Sequence, residues 1–398
     1  MRPHGERWRA AYACDPARSR GRLHPEPPSP SRSDFQRDRD RVIHSAAFRR
    51  LTHKTQVFIF HEGDHFRTRL THTLEVSQIA RALSRSLGLD EDLAEAIALA
   101  HDLGHTPFGH TGEDALAACM APHGGFDHNT QAFRVVTRLE RRYADFDGLN
   151  LTAETLEGLL KHNGPLVRRP HEWPGLPAEI RGHDDVQPLA LDLLCAGEGQ
   201  AAAVADDIAY NAHDLDDGLR AGILDPEELP SVPFLAALLD EIDARGAPIE
   251  PARRTHELTR RVITRFVEGV LAASEGNLRR LDPGSADDLR RAGEPVIALS
   301  AELADGDRSL KAFLFPKLYK HPRLMSVRRD AEEVVRSLFR CLLDRPDLLP
   351  ADRREGADRD GDDARARAVA DYIAGMTDRF AILEHRRLIG PTPDLRIV

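Results

Sequence analysis

The chain has 398 residues, 41% of them apolar and 30% charged, which is enough apolar surface for a packed core and too much for a disordered polymer. Lys and Arg total 55 against 65 Asp and Glu, a net charge of −10, so there is no chain-wide attraction for nucleic acid, although a local basic pocket for a small anion is compatible with it. The longest apolar runs fall far short of the ~20 residues of a membrane span, no apolar stretch follows Arg2, Arg7 and Arg9, and Cys14, Cys119, Cys195 and Cys341 form no CxxC pair. No membrane anchor, secretory signal, disulfide framework or structural zinc site is expected, and the cytoplasm is the expected address.

Residues 1–34 are rich in Arg, Pro and Ser and read as a flexible arm. Asp34 to Leu51 has a capping aspartate and places Phe35, Val42, Ala46 and Leu51 near one helical face. Gln56 to Phe60, QVFIF, is the one segment with strand character. Thr68 to Leu87 spaces Leu70, Leu74, Ile79, Leu83 and Leu87 at helical intervals and stops at Gly88. Asp90 caps a third helix that ends at Gly104, and HTPFGHTG, 105–112, is a loop by its Pro and Gly content. Further helices are predicted over 113–119, 129–142, 152–162, 200–220, 234–242, 260–273, 296–303 and 331–343. The run ADRREGADRDGDDARARA, 351–368, reads as a charged surface loop. The predicted fold class is all-α, with a core over 35–225 and a C-terminal helical region, 226–398, packed on it.

Of 19 histidines, His44, His53, His61, His65, His72, His101, His105, His110, His123 and His128 crowd into the stretch 44–128. His72, the doublet His101-Asp102 and Asp206 each stand on or at the end of a predicted helix. Two imidazoles and two carboxylates form a mixed set suited to Mn²⁺, Mg²⁺, Fe²⁺ or Zn²⁺, and four protein ligands leave an octahedral ion open positions for water and phosphate. A lone His72 or a lone His-Asp doublet is ordinarily a solvated or satisfied residue. Asp102, however, follows the apolar stretch AIALA, where a carboxylate is not buried without a charged partner. Asp206, Tyr210 and Asp214 recur every four residues and so share one helical face. His162, in LLKHNG, reads as a histidine that bonds the last carbonyls of its helix, and glycines 104, 109 and 112 make no dinucleotide or P-loop fingerprint.

His72 together with HDLGHTPFGHTGE (101–113), FDHN (126–129) and ADDIAYNAHD (205–214) resembles the HD-domain dNTP triphosphohydrolases, which include the bacterial dGTPases and the mammalian dNTPase that carries a SAM domain. The resemblance is to the bacterial dGTPase-like subgroup in particular; it runs from about Arg37 to Arg220 and more loosely through LFPKLYKHPRL, 314–324. It implies an HD-domain helical bundle with additional C-terminal helices, and a divalent metal held by His72, His101, Asp102 and Asp206. Asp206 is preferred to Asp207 because the family places a tyrosine four residues after the ligand, here Tyr210. The resemblance also implies His110 and Glu113 as a catalytic pair, His128 as a further active-site histidine, and Arg69 and His105 as phosphate contacts. Tyr210 and Asp214 would receive the sugar, Asp214 at the 3′-OH, while Gln56 and Val57 would pack against it and exclude a 2′-hydroxyl. Tyr319 is expected as a base-stacking ring.

The activity so implied is metal-dependent hydrolysis of a dNTP, dGTP among them, to deoxynucleoside and inorganic triphosphate by water attack at the α-phosphorus. A homo-oligomer, tetramer or hexamer, and a dNTP effector are implied by the resemblance alone. Two other readings are open. A phosphodiesterase or nucleotidase acting on another nucleotide has no need of Tyr210, Asp214, Gln56 and Val57. A nucleotide sensor or single-strand nucleic-acid binder calls for a lost ligand or for a basic groove with aromatics, whereas all four ligands are present and aromatics total 6%; nucleic acid is not favoured as a partner.

Overall fold

The structure, a computed structural model, describes residues 8–58, 66–244, 249–357, 361–393 and 395. Ser33 starts the helical body: its hydroxyl accepts from Gln36 N at 3.2 Å while Gln36 Oε1 accepts from Ser33 N at 3.1 Å, a capping box that fixes the start of α1 (Asp34–His44). Ser45 is extended and caps Phe48 N, so the helix predicted over 34–51 is broken and α2 (Ala46–Arg50) begins at a new angle. Helix α3 (Arg69–Leu87) ends at Gly88 with φ +70°, the left-handed stop expected of that glycine. Asp90 caps α4 (Glu91–Ala100), which tightens into a 3₁₀ turn at His101–Gly104.

Then come α5 (Gly109–Met120), α6 (His128–Arg134), α7 (Ala153–Lys161), α8 (Ala178–Asp184), α9 (Gly197–Arg220), α10 (Pro233–Asp243), α11 (Pro251–Leu281), α12 (Ala286–Arg290), α13 (Ala301–Leu314), α14 (Pro322–Asp344), α15 (Ala351–Ala357), α16 (Asp362–Ala374) and α17 (Asp378–Leu388). The fold is all-α. Among the described residues the only β pairings are isolated bridges, one of them Thr55 with Thr68; Gln56 to Phe58 are bends rather than a strand, and the rest of QVFIF lies outside the described residues. The stretch read as a charged loop is largely helix: α16 buries Ala366, Val369, Ala370 and Ile373 at helical spacing, a period carried half by alanines and running past residue 368. None of the described helices is long and apolar enough to cross a membrane.

At the centre α3, α4 and α9 pack on one another, with α1 on α4 and α11 across α9 and α3. Val76, Ile79 and Leu83 of α3 meet Leu93 and Ile97 of α4 and Ala205, Ile208 and Ala212 of α9 in one continuous core that extends to Val262 and Phe266 of α11. A second core joins α5 to α14, α16 and α17 through Leu116, Met120, Leu338, Ile373 and Ala381. Where the sequence predicts a flexible arm, residues 8–33 lie along the body: Arg9 Nε bonds Asp90 at 2.6 Å, Cys14 N bonds Glu198 at 2.9 Å, and Arg22 pairs with the fully buried Asp38. Arg9, Arg20 and Arg22, three of the arginines that make the segment look disordered, are partners of buried carboxylates.

Candidate active site

Three elements converge at the middle of the central layer. His72 comes from the first turns of α3, His101 and Asp102 from the 3₁₀ turn that closes α4, and Asp206 from the middle of α9. His101 Nδ1 bonds Ala98 O at 2.6 Å, which fixes the ring and turns Nε2 inward, where it is buried without a hydrogen-bond partner. That nitrogen lies 3.4 Å from Asp102 Oδ1 and 3.5 Å from Asp206 Oδ1, and His72 Nε2 lies 2.9 Å from the same Asp206 oxygen. Ligand atoms of His72, His101 and Asp102 all fall within 4.8 Å of one another. Bonds of ~2.0–2.2 Å to one ion place neighbouring donors roughly 3 Å apart, so the set fits a divalent cation. The charge fits as well. Burial pushes the His101 imidazolium down, yet Asp102 and Asp206 outweigh it and lift its pKa to about 9; the field that favours a proton there favours a cation. Asp207 is not part of the set: it is exposed, and its Oδ1 accepts from Lys311 Nζ at 2.8 Å.

A second group abuts the first. Arg69, only 2% exposed, donates from Nη1 to Asp102 Oδ2 at 3.0 Å, while its Nε and Nη2 have no partner. His105 Nε2 lies 3.1 Å from Asp102 Oδ1; burial first, then Arg69 and His128, keep the ring uncharged, and its Nδ1 is partnerless. Buried polar nitrogens left unpaired in this way are rare and mark places where a ligand completes the bonding. His105 stacks on His128 at 4.1 Å, and Glu113 ties the group together, accepting from His128 N at 2.9 Å and lying 2.7 Å from His128 Nδ1 and 3.3 Å from His110 Nδ1. Burial raises the Glu113 carboxyl, but the bonds from His110 and His128 prevail and hold it well below the ordinary carboxylate range.

The chain reaches this geometry through close backbone approaches. A Cβ on Gly104 would stand 2.0 Å from His128 O, and one on Gly112 1.9 Å from Pro107 O. The loop expected over 105–112 ends at Phe108, whose φ of +63° turns the chain into α5. Gly112 therefore serves packing inside a helix, and Gly109, with φ +58°, the turn into it, rather than a flexible loop.

A cavity of about 320 Å³ opens beside the histidines, lined in part by Gln56, Val57, His110, Tyr210, Tyr319 and Arg328. Tyr210 and Tyr319 stack with centroids 6.2 Å apart, and Tyr319 donates its hydroxyl to Asp214. Burial lifts the Asp214 carboxyl to about 7 against the bonds from Tyr319 and Tyr210. Its Oδ1, like Gln56 Oε1, is partnerless. His110 belongs to both regions, bonded to Glu113 and lining the cavity. The larger cavity, about 770 Å³, lies on the Asp207 side of α9 and contains none of the expected site residues. His162 bonds Leu159 O at 2.8 Å, as a helix C-terminal histidine does.

Two residues that sequence patterns do not single out hold these loops in place. Asp378, the first residue of α17, accepts from Thr55 N at 2.9 Å, from the Thr55 hydroxyl, and from Phe108 N at 2.8 Å. Lys54 Nζ, fully buried, donates to His105 O and to Ala374 O, the latter at 2.8 Å. Their partners are mostly main-chain atoms hundreds of residues away in sequence, so no spacing announces them.

Residues 69–211 match the HD domain and residues 297–387 the phosphohydrolase-associated domain. A helical layer that carries a His, His-Asp, Asp cluster, with those two matches, is that of an HD-domain hydrolase. Over 395 residues the chain is 58% identical to deoxyguanosinetriphosphate triphosphohydrolase-like protein 1 of Mesorhizobium japonicum, covering 98% of this chain and 97% of the relative. It is 56% identical to the deoxyguanosinetriphosphate triphosphohydrolase-like protein of Azorhizobium caulinodans over the whole of both chains, and 55% identical to that of Brucella anthropi over 98% of each. The chain belongs to the deoxyguanosinetriphosphate triphosphohydrolase-like family of HD-domain proteins.

Proposed function

We propose that the protein hydrolyses deoxynucleoside triphosphates, dGTP among them, to the deoxynucleoside and inorganic triphosphate. The observation that carries this reading is the junction at His110, where a cluster suited to a cation, with unpaired guanidinium nitrogens beside it, meets a cavity walled by two tyrosines, one of which donates to the buried carboxylate of Asp214. His72, His101, Asp102 and Asp206 would hold the metal, whether Mn²⁺, Mg²⁺, Fe²⁺ or Zn²⁺. Bound there, it supplies Lewis acidity toward water and a phosphate oxygen.

The chain's own residues do the rest. The free Nε and Nη2 of Arg69 bond phosphate oxygens in a site from which water is excluded, where such contacts are strong. The partnerless Nδ1 of His105 does so as well, taking up a proton when the anion enters. Tyr210 and Asp214 receive the deoxyribose, Gln56 and Val57 close against its 2′ position, and Tyr319 stacks on the base. Water attacks the α-phosphorus and the bond to the 5′-oxygen breaks. The departing 5′-oxygen takes its proton from Nε2 of the doubly protonated His110, whose Nδ1–H is committed to Glu113, and the proton lost by the attacking water restores it. His128, on the other Glu113 oxygen, holds that carboxylate in place.

Incubation with Mn²⁺ and each dNTP or NTP, read by chromatography and phosphorus NMR, tests the reading. Deoxynucleoside with intact triphosphate, and no turnover of NTPs, is the expected result; nucleotide monophosphate with pyrophosphate, or equal turnover of NTPs, overturns it. The homo-oligomer and the effector site belong to the same proposal, and faster turnover of a dNTP mixture than of any single dNTP is their signature.

A further inference from the structure

We infer that His213 and Glu75 form a positioning pair for His72, fixing which of its nitrogens faces the metal. The inference rests on the reading of His72 as a ligand. His213 is 1% exposed, its Nδ1 lies 3.1 Å from His72 Nδ1, and the two rings meet nearly at right angles, 84°, with centroids 5.3 Å apart. Its other nitrogen, Nε2, is in close contact with the Glu75 carboxylate, which Arg67 Nε approaches at 3.5 Å. Neither residue touches the cavity that receives the nucleoside. Nothing in the proposed chemistry uses them.

The donor and acceptor count assigns the protons. A carboxylate only accepts, so we place the hydrogen of His213 on Nε2, the nitrogen against Glu75. A neutral imidazole has one N–H, and His213 Nδ1 is then an acceptor. His72 Nδ1 must therefore donate, and that leaves His72 Nε2, the nitrogen 2.9 Å from Asp206, with its lone pair directed into the cluster. A metal ligand requires that tautomer, and carboxylate–histidine partners that enforce it commonly set the affinity of metal sites.

The arrangement is built into the two helices that supply ligands. Glu75 follows His72 by three residues on α3, and His213 follows Asp206 by seven on α9, so each helix brings one ligand and one positioning residue to the same crossing. Arg67, which also bonds Asp216 at 2.7 Å and Asp217 at 2.8 Å, anchors the far end of the chain of contacts to α9.

The test is Mn²⁺ affinity by chelator competition on the full-length protein, with the absorption spectrum of the Co²⁺-loaded form as a second readout. His213→Leu, which cannot accept from His72, should weaken Mn²⁺ binding about 10- to 100-fold at unchanged stoichiometry and alter the Co²⁺ bands. His213→Gln, which keeps an acceptor and a donor, should recover most of the affinity. Glu75→Ala, at a half-exposed site that tolerates truncation, should weaken binding in the same sense, and it answers the question if His213→Leu does not fold. Wild-type affinity and spectrum in a folded His213→Leu or in Glu75→Ala overturn the inference. If His72→Ala also binds Mn²⁺ normally, it is the ligand role of His72 that fails.

Discussion

Asp206 and Asp207 are adjacent and chemically identical, yet one faces two imidazoles and the other a lysine. Asp206→Ala should therefore abolish Mn²⁺ binding in a titration calorimeter while Asp207→Ala leaves it within a few-fold; the reverse result would reassign the ligand. Asp214 carries a second prediction. Its carboxyl is raised from 3.8 to about 7, chiefly by burial, so the fold favours the protonated form. The stability this group contributes is complete below pH 4 and is lost as pH rises toward 7. Wild-type Tm should fall over that window relative to Asp214→Asn, which has no charge to bury, and parallel Tm profiles would contradict the assignment. At this scale the proposed ligands are legible in the sequence as a His, His-Asp, Asp pattern, while the proposed sugar-facing residues are reached only through the family resemblance. Lys54 and Asp378 are not legible, because they act on main-chain atoms that only the fold brings near, and His213 is hidden in a motif whose aspartates and tyrosine draw the eye.

Helix α17 acts on the site from a distance. Its first residue, Asp378, caps the loop that carries Gln56 and Val57 and the turn that leads to His110. Asp378→Ala leaves Thr55 N and Phe108 N buried without an acceptor, at about 1–3 kcal/mol each. Urea unfolding should show a loss of that order, and the KM for nucleotide should rise as both loops loosen; an unchanged KM in the folded variant would show that the loops hold without the clamp. The elements themselves follow from local signals where those are strong, as with Gly88 ending α3 and Asp90 starting α4. They escape where a single serine re-caps the chain, as at Ser45, or where glycines demanded by a left-handed turn or by close packing look like loop residues, as at Gly109 and Gly112.

Across the whole molecule the proposed ligands come from α3, from the turn that closes α4 and from α9, elements of one continuous core, so on the proposed reading metal binding and folding are coupled. A cation that binds only the native state stabilises it by about 2.7 kcal/mol at a free concentration 100 times its Kd. Chelation should lower Tm by several degrees and Mn²⁺ restore it, whereas Asp206→Ala should show no metal-dependent shift. A metal-independent Tm in the wild type would contradict the cluster as a cation site. The all-α character and the helical body are visible in the hydrophobic period; the packing of residues 8–33 is not, because Arg9 and Arg20 pair with Asp90 and Glu157, far along the chain.

The central claim is that water attacks the α-phosphorus of a deoxynucleoside triphosphate and expels the 5′-oxygen. Turnover of dGTP in ¹⁸O-water, with both products analysed by mass spectrometry, tests it most directly. One ¹⁸O in the triphosphate and none in the deoxyguanosine is the result predicted. Label in the 5′-hydroxyl, or in a monophosphate or pyrophosphate, would contradict it.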